Sequence, residues 1–174
     1  MAMNISGAGI TYTPMEYIFK IKQPEMMENE YTVNDDEAAR EIMRNVGVED
    51  FDRLKEVLDG IDMTSISTRE LMTLSLELTA MGFNDSSALS FLAQGNMDCG
   101  LDQRQRNLDV KFNAIPLIYE QLAGHIDFAR TQGLKGDKGY GRILGSLNNA
   151  NHIVAALSFL AKSAEKLPSI DENA

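Results

Sequence analysis

The sequence predicts an all-α protein: about six helices in an irregular bundle, with a long C-terminal antiparallel helical hairpin and an extended N-terminal arm. Three observations carry that prediction. Leu108, Phe112, Ile115, Tyr119, Leu122, Ile126 and Ala129 recur in steps of four and three, and so do Ile143, Leu147, Ala150, Val154, Leu157, Ala161 and Ala164, the spacing that gathers side chains on one helical face. The glycine-rich stretch 133–141 between them is short, so each apolar stripe finds its nearest partner in the other. Before residue 95, capping residues, periodic apolar residues and stop glycines follow one another four times.

Taken in order, residues 1–33 form an arm, extended or partly disordered. Met15, Tyr17, Phe19 and Ile21 alternate with Glu16, Ile18, Lys20 and Lys22, the period of a strand with one mostly apolar face. A lone strand leaves its backbone groups unpaired, so Tyr17, Phe19 and Ile21 are interaction candidates. Residues 34–168 form a single helical domain, of which 34–95 is an acidic four-helix part and 104–167 the hairpin. Asn34 with Glu37 makes a capping pair for the first helix, which Gly47 ends; Phe51, Leu54, Val57 and Leu58 mark the second, ended by Gly60. The third has the fullest start signal. Ser67 can accept from the Glu70 amide while the Glu70 side chain reaches back, and Ile66 can pack on Leu71 as a staple. Gly82 ends that helix. Asn84 or Asp85 caps the fourth, which Gln94-Gly95 terminates, and 95–103 reads as a loop.

The fifth helix contains Pro116, which has no amide hydrogen to donate to the carbonyl four residues back. A kinked continuous helix over 104–132 is favoured because Leu108 and Phe112 keep the stripe's phase; alternatively Asn113 is an N-cap and Pro116 a first-turn residue. The sixth helix, about 140–167, has its stripe broadened by Leu144, Ile153, Leu160 and Leu167. A two-helix seam does not need that width, so Ile153, Leu160 and Leu167 must meet the acidic half or another subunit. Residues 169–174 read as a frayed acidic tail.

Composition limits function as well as fold. Among the 174 residues 16 Lys/Arg stand against 26 Asp/Glu, with 7 against 19 through residue 103 and 9 against 7 after it. Such an acidic first part is the opposite of a phosphate-binding face, so no nucleic-acid partner is expected. The uneven charge is compatible with self-assembly, an acidic half meeting a near-neutral one. A single cysteine, Cys99, cannot form an intrachain disulfide, no apolar run reaches membrane-spanning length, and the N-terminal residues show no basic stretch followed by an apolar run, so a cytoplasmic protein without membrane contact is expected.

The remaining motifs have simpler structural roles. Gly136, Lys138, Gly139 and Arg142 invite a phosphate-loop reading, but the flanks are helical and Gly141 is followed by Arg142 rather than Lys-Ser/Thr. Residues 66–94 have a helix-turn-helix outline, yet 86–92 carry no Lys, Arg, Asn or Gln to read bases. Residues 96–107 alternate oxygen ligands, but Leu101 stands where a calcium loop needs glycine and Asn107 where it needs glutamate. His125 and His152 lie on facing helices and are weak metal candidates without a fixed carboxylate spacing. Cys99 is a nucleophile only if the fold brings a histidine to it. The carboxylates of Asp35, Asp36 and Glu37, and of Glu49, Asp50 and Asp52, sit at helix starts, where negative charge suits the dipole.

No cofactor and no catalytic residue are therefore expected. The reading is a non-enzymatic protein-protein interaction, assembly or chaperone-like protein that associates with itself or a protein partner. Its alternatives are a small-ligand or nucleotide-binding regulator using the 133–142 loop, and a helical-bundle metal-dependent hydrolase.

Overall fold

The computed structural model describes residues 19–99 and 104–165, and among them the chain forms six helices and one two-stranded sheet. The helices are α1 (Asp36–Asn45), α2 (Phe51–Val57), α3 (Thr68–Ala80), α4 (Ser86–Gln94), α5 (Ala114–Thr131) and α6 (Lys138–Glu165). The strands β1 (Ile66–Ser67) and β2 (Lys111–Phe112) pair antiparallel, Ile66 opposite Phe112 and Ser67 opposite Lys111. The predicted all-α class holds.

Local chemistry sets each boundary. Asp35, one residue after the expected cap Asn34, accepts the Ala38 amide at 2.9 Å and starts α1. Asp50 and Asp85 do the same for α2 and α4. At α3 the full capping box forms: Ser67 accepts from the Glu70 amide, and Glu70 accepts from the Ser67 amide at 2.7 Å. Gly47, Gly60, Gly82 and Gly95 all have positive φ, the left-handed backbone that lets a helix end. Two of these ends meet. The Asn84 amide donates to the Val46 carbonyl at 2.8 Å, and a Cβ on Gly47 would lie 2.5 Å from the Gly82 carbonyl oxygen.

The favoured continuous fifth helix is corrected: α5 begins at Ala114, after residues 111–112 have paired as β2. Asn113 caps it, accepting the Ile115 amide at 3.0 Å. Pro116 then occupies the first turn, where no helical carbonyl awaits its missing amide hydrogen, so the helix needs no kink. Residues 108–114 gain more by lying on the α2–α3 corner: Arg69 donates its amide to the Leu108 carbonyl and Ala114 donates to the Met63 carbonyl. Phe112 keeps its apolar role by packing on the core from a strand. The connection between α4 and α5 is accordingly longer than the expected loop.

The spine is α6, about 42 Å long at roughly 1.5 Å per residue. It packs against α5, α1, α4 and α2, so one core draws on both the acidic part and the hairpin. Ala150 and Ala156 are fully buried on it, and such small side chains permit close approach. Among the described residues no helix is long and apolar enough to cross a membrane.

Of the arm, residues 19–33 are described, and they form no strand. Some of their backbone groups bond within the arm, and four bond to side chains at the start of the hairpin. Asn113 donates its side-chain amide to the carbonyls of Pro24 and Met26, and Glu120 accepts the amides of Lys22 and Gln23 at 2.7 and 2.8 Å. Tyr31 donates its hydroxyl to Asn148 Oδ1 at 2.8 Å and sets its ring edge-on to Tyr119 and His152. Burial pushes the Tyr31 hydroxyl pKa up, with the charge of Glu30 adding to it and then Tyr119. Tyr17, Leu167 and the 169–174 tail lie outside the described residues.

Candidate functional site

The structure moves the candidate surface from the face of α6 to the tip of the hairpin. Ile153 and Leu160, expected to meet either the acidic half or another subunit, are 1% and 9% exposed and belong to the core. The acidic half covers them, through α1, α2 and α4. They are not available to a partner.

Near the tip the same stripes are uncovered at single positions, although Ala129 beyond them is buried. Leu122 and Leu147 are buried, but one helical turn beyond each, Ile126 and Ile143 are 42% and 37% exposed. Phe128, on another face of α5, is 52% exposed. Its ring lies 5.9 Å from that of Tyr140, and His125 is also 5.9 Å from Tyr140. The Tyr140 hydroxyl is 2.8 Å from His125 Nδ1 and 3.2 Å from the His125 carbonyl oxygen. Both contacts are satisfied together when Nδ1–H donates to the hydroxyl and the hydroxyl donates to the carbonyl.

These aromatic residues form one wall of a groove of about 750 Å³. Phe91, Gln94 and Met97 from the α4 side complete it, and Phe19 and exposed Cys99 lie along it. The structure pairs His125 with Tyr140 rather than with Cys99. A surface of this composition suits apolar and aromatic contact with a few amide hydrogen bonds at its edge.

The connector at the tip is built as a helix start. Gly133 and Gly136 have positive φ, and Leu134 donates its amide to the Ala129 carbonyl to close α5. Asp137 Oδ1 accepts the Tyr140 amide at 2.7 Å, and the Asp137 carbonyl accepts that of Gly141. A carboxylate thus occupies the position at the α6 N-terminus where an anion would seek those amides. Lys138 and Gly139 fall inside α6 and Arg142 one turn further on, so Gly136 alone of that group remains in the loop. Lys135, Lys138 and Arg142 are exposed around it.

The other sequence candidates separate in space. His125 faces Tyr140 at the tip, whereas His152 stands twelve residues further along α6 than Tyr140, about 18 Å at helical rise, beside Tyr31. Among the described residues no three His, Cys, Asp or Glu side chains gather as a metal site. Asn107, in the rejected calcium motif, braces its own loop by accepting from the Asp98 amide and donating to the Asn96 carbonyl. Residues 59–70 have the outline of a calcium-binding helix-loop-helix, with Ile66 paired to β2, but Ile61 and Met63 stand where oxygen ligands are required and Lys111 holds Glu70.

Sequence reasoning missed the arm's anchors. Glu120 is one acidic residue on a helix, and only the folded chain shows that it receives two successive arm amides. No protein family, curated protein or solved structure matches this chain.

Proposed function

We propose that this protein is a non-enzymatic, cytoplasmic helical assembly protein that self-associates through the tip of its hairpin. The observation that carries the reading is that Ile126 and Ile143 stand 42% and 37% exposed while Leu122, Ala129 and Leu147 of the same stripes are buried. Large apolar residues grouped at one exposed end mark an interaction surface more often than residues scattered singly. Charge supplies the choice of partner. Exposed Lys135, Lys138 and Arg142 surround the tip, and the α1–α2 end presents Glu49, Asp50 and Asp52 beside Asp36 and Glu37, which pair with Arg40 and Arg44, so a second copy offers the complementary surface. Neither nucleic acid nor membrane enters this reading.

Sedimentation velocity across a wide concentration range tests it. The wild-type chain is expected to form a dimer or larger species that weakens as salt rises, and Ile126→Ser with Ile143→Ser is expected to shift it to monomer with helical content unchanged. Wild-type and variant chains that are both monomeric at every concentration would overturn self-association.

A further inference from the structure

Away from the tip, the arm borders a cleft on α6 that self-association does not use. Residues from 27–34, Ile115 at the start of α5 and one face of α6 enclose about 140 Å³, a size of cavity that holds a benzene-sized molecule. Along that face Asn151, Ser158 and Lys162 stand seven and four positions apart, with Val154, Ala155 and Phe159 between them. Asn151 is only 3% exposed. It donates its side-chain amide to the Leu147 carbonyl at 2.9 Å and to the Ile118 carbonyl at 3.4 Å, which spends both hydrogens and fixes the orientation of the amide. Its oxygen takes no donor among the described residues and is left to the cleft. Ser158, 5% exposed, is in the same position. Ser146 and Ser163, the other serines of α6, each donate to a carbonyl one turn back, whereas the Ser158 hydroxyl makes no hydrogen bond among the described residues. Exposed Lys162 and Glu28 stand at the rim, and neither forms an ion pair among the described residues.

A buried acceptor without a donor costs free energy, so the cleft favours an occupant that donates to Asn151. Water donates, but it leaves Ile115, Val154 and Ala155 facing it, and an aliphatic chain covers them better. We propose that the cleft binds a free α-amino acid whose neutral side chain ends in a hydrogen-bond donor, with L-glutamine as the probe that fits. Its carboxylate lies between the Lys162 ammonium and the Ser158 hydroxyl, and its ammonium beside the Glu28 carboxylate. Its methylenes cover Val154 and Ala155, and its terminal amide donates to Asn151 Oδ1. The span agrees. Asn151 and Ser158 are about 10 Å apart at helical rise, and glutamine, about 6 Å from carboxylate carbon to terminal nitrogen, closes that distance with a hydrogen bond of about 3 Å at each end. The same oxygen sets the selectivity, since glutamate brings a negative charge to an acceptor and norleucine brings it no donor.

An NMR titration of the full-length, isotope-labelled chain tests this. L-Glutamine at millimolar concentration is expected to shift the Asn151 side-chain amide and the backbone amides of residues 27–34 in a saturable way. L-Glutamate and L-norleucine are each expected to bind about tenfold more weakly, the loss that goes with one unmade buried hydrogen bond. Lys162→Gln, at an exposed position, should weaken glutamine severalfold. Ala155→Leu, at a half-buried one, should fill the cleft and abolish the shifts while the rest of the spectrum stays in place. Resonances that glutamine leaves unmoved would overturn the proposal and assign the cleft to water alone. Equal affinity for norleucine, or shifts that persist in a folded Ala155→Leu chain, would overturn it too. The tip variants Ile126→Ser and Ile143→Ser should leave glutamine binding intact, so this site and self-association succeed or fail separately.

Discussion

Gly47 and Gly60 separate two reasons for a glycine at a helix end. Both have positive φ, near +88° and +72°. A Cβ at Gly60 meets nothing within 4 Å, whereas one at Gly47 comes within 2.5 Å of a backbone oxygen that cannot swing away. Gly60→Ala is therefore expected to cost about 1 kcal/mol, the ordinary penalty for a side chain in left-handed backbone. Gly47→Ala adds a clash that must push the α1 and α3 ends apart, and a total of about 3 kcal/mol is expected. Urea denaturation of both variants measures the difference, and equal midpoints would mean that the two helix ends adjust freely. The sequence marks both positions as helix stops. It carries no trace of the meeting between Gly47 and Gly82, because that contact joins residues 35 positions apart.

At the scale of elements, Asn113 has two tasks assigned to opposite ends of one amide. Its oxygen caps α5 and its nitrogen tethers the arm. Asn113→Asp keeps an acceptor for the Ile115 amide but turns a donor into an anion facing the Pro24 and Met26 carbonyls. We expect α5 to persist by circular dichroism while limited proteolysis cuts residues 20–33 markedly faster than in the wild type. Unchanged cleavage would show that Glu120 and Tyr31 hold the arm alone. The same residue explains the misread boundary of α5. The apolar phase of Leu108 and Phe112 continues a helical stripe, and periodicity alone cannot report that Phe112 reaches the core from a strand. The cap at Asn113 and the first-turn Pro116 were the local features that pointed to the true start.

For the molecule as a whole, one clasp joins the capping box to the strand that precedes the hairpin. Lys111 donates to both carboxylate oxygens of Glu70, and Arg69 pairs with Asp109 beside it. The Lys111 ammonium, helped by the Ser67 amide and hydroxyl, holds the Glu70 carboxyl below its ordinary range despite some burial. A depressed carboxyl contributes fully above the ordinary glutamate range, and the contribution fades as pH falls through the lower folded value. Glu70→Gln should thus lower stability by about 1 kcal/mol near neutral pH, a figure kept small by the exposure of both partners. The gap between wild type and variant should shrink in acid. Thermal melting from neutral pH downward checks this, and a gap that widens in acid would contradict it. The six-helix class and the hairpin were legible because they follow from repeated local spacing, and the capping box because it spans only four residues. What covers α6 was not, since apolar width shows that a face must be buried without naming the neighbour. The tip was hidden for a related reason: Ile126 and Ile143 repeat the spacing of buried positions, and exposure depends on where the other helices end.

The connector between α5 and α6 offers a practical use. Gly133 and Gly136 have nothing within 4 Å of where a side chain would begin. Close-packed turns resist added residues, but an open one between two closed helix ends accepts a longer chain at small entropic cost. A short peptide tag placed between Lys135 and Gly136 should leave the body folded and stand beside Ile126 and Ile143, so a fluorophore carried there would report directly on anything that approaches the tip.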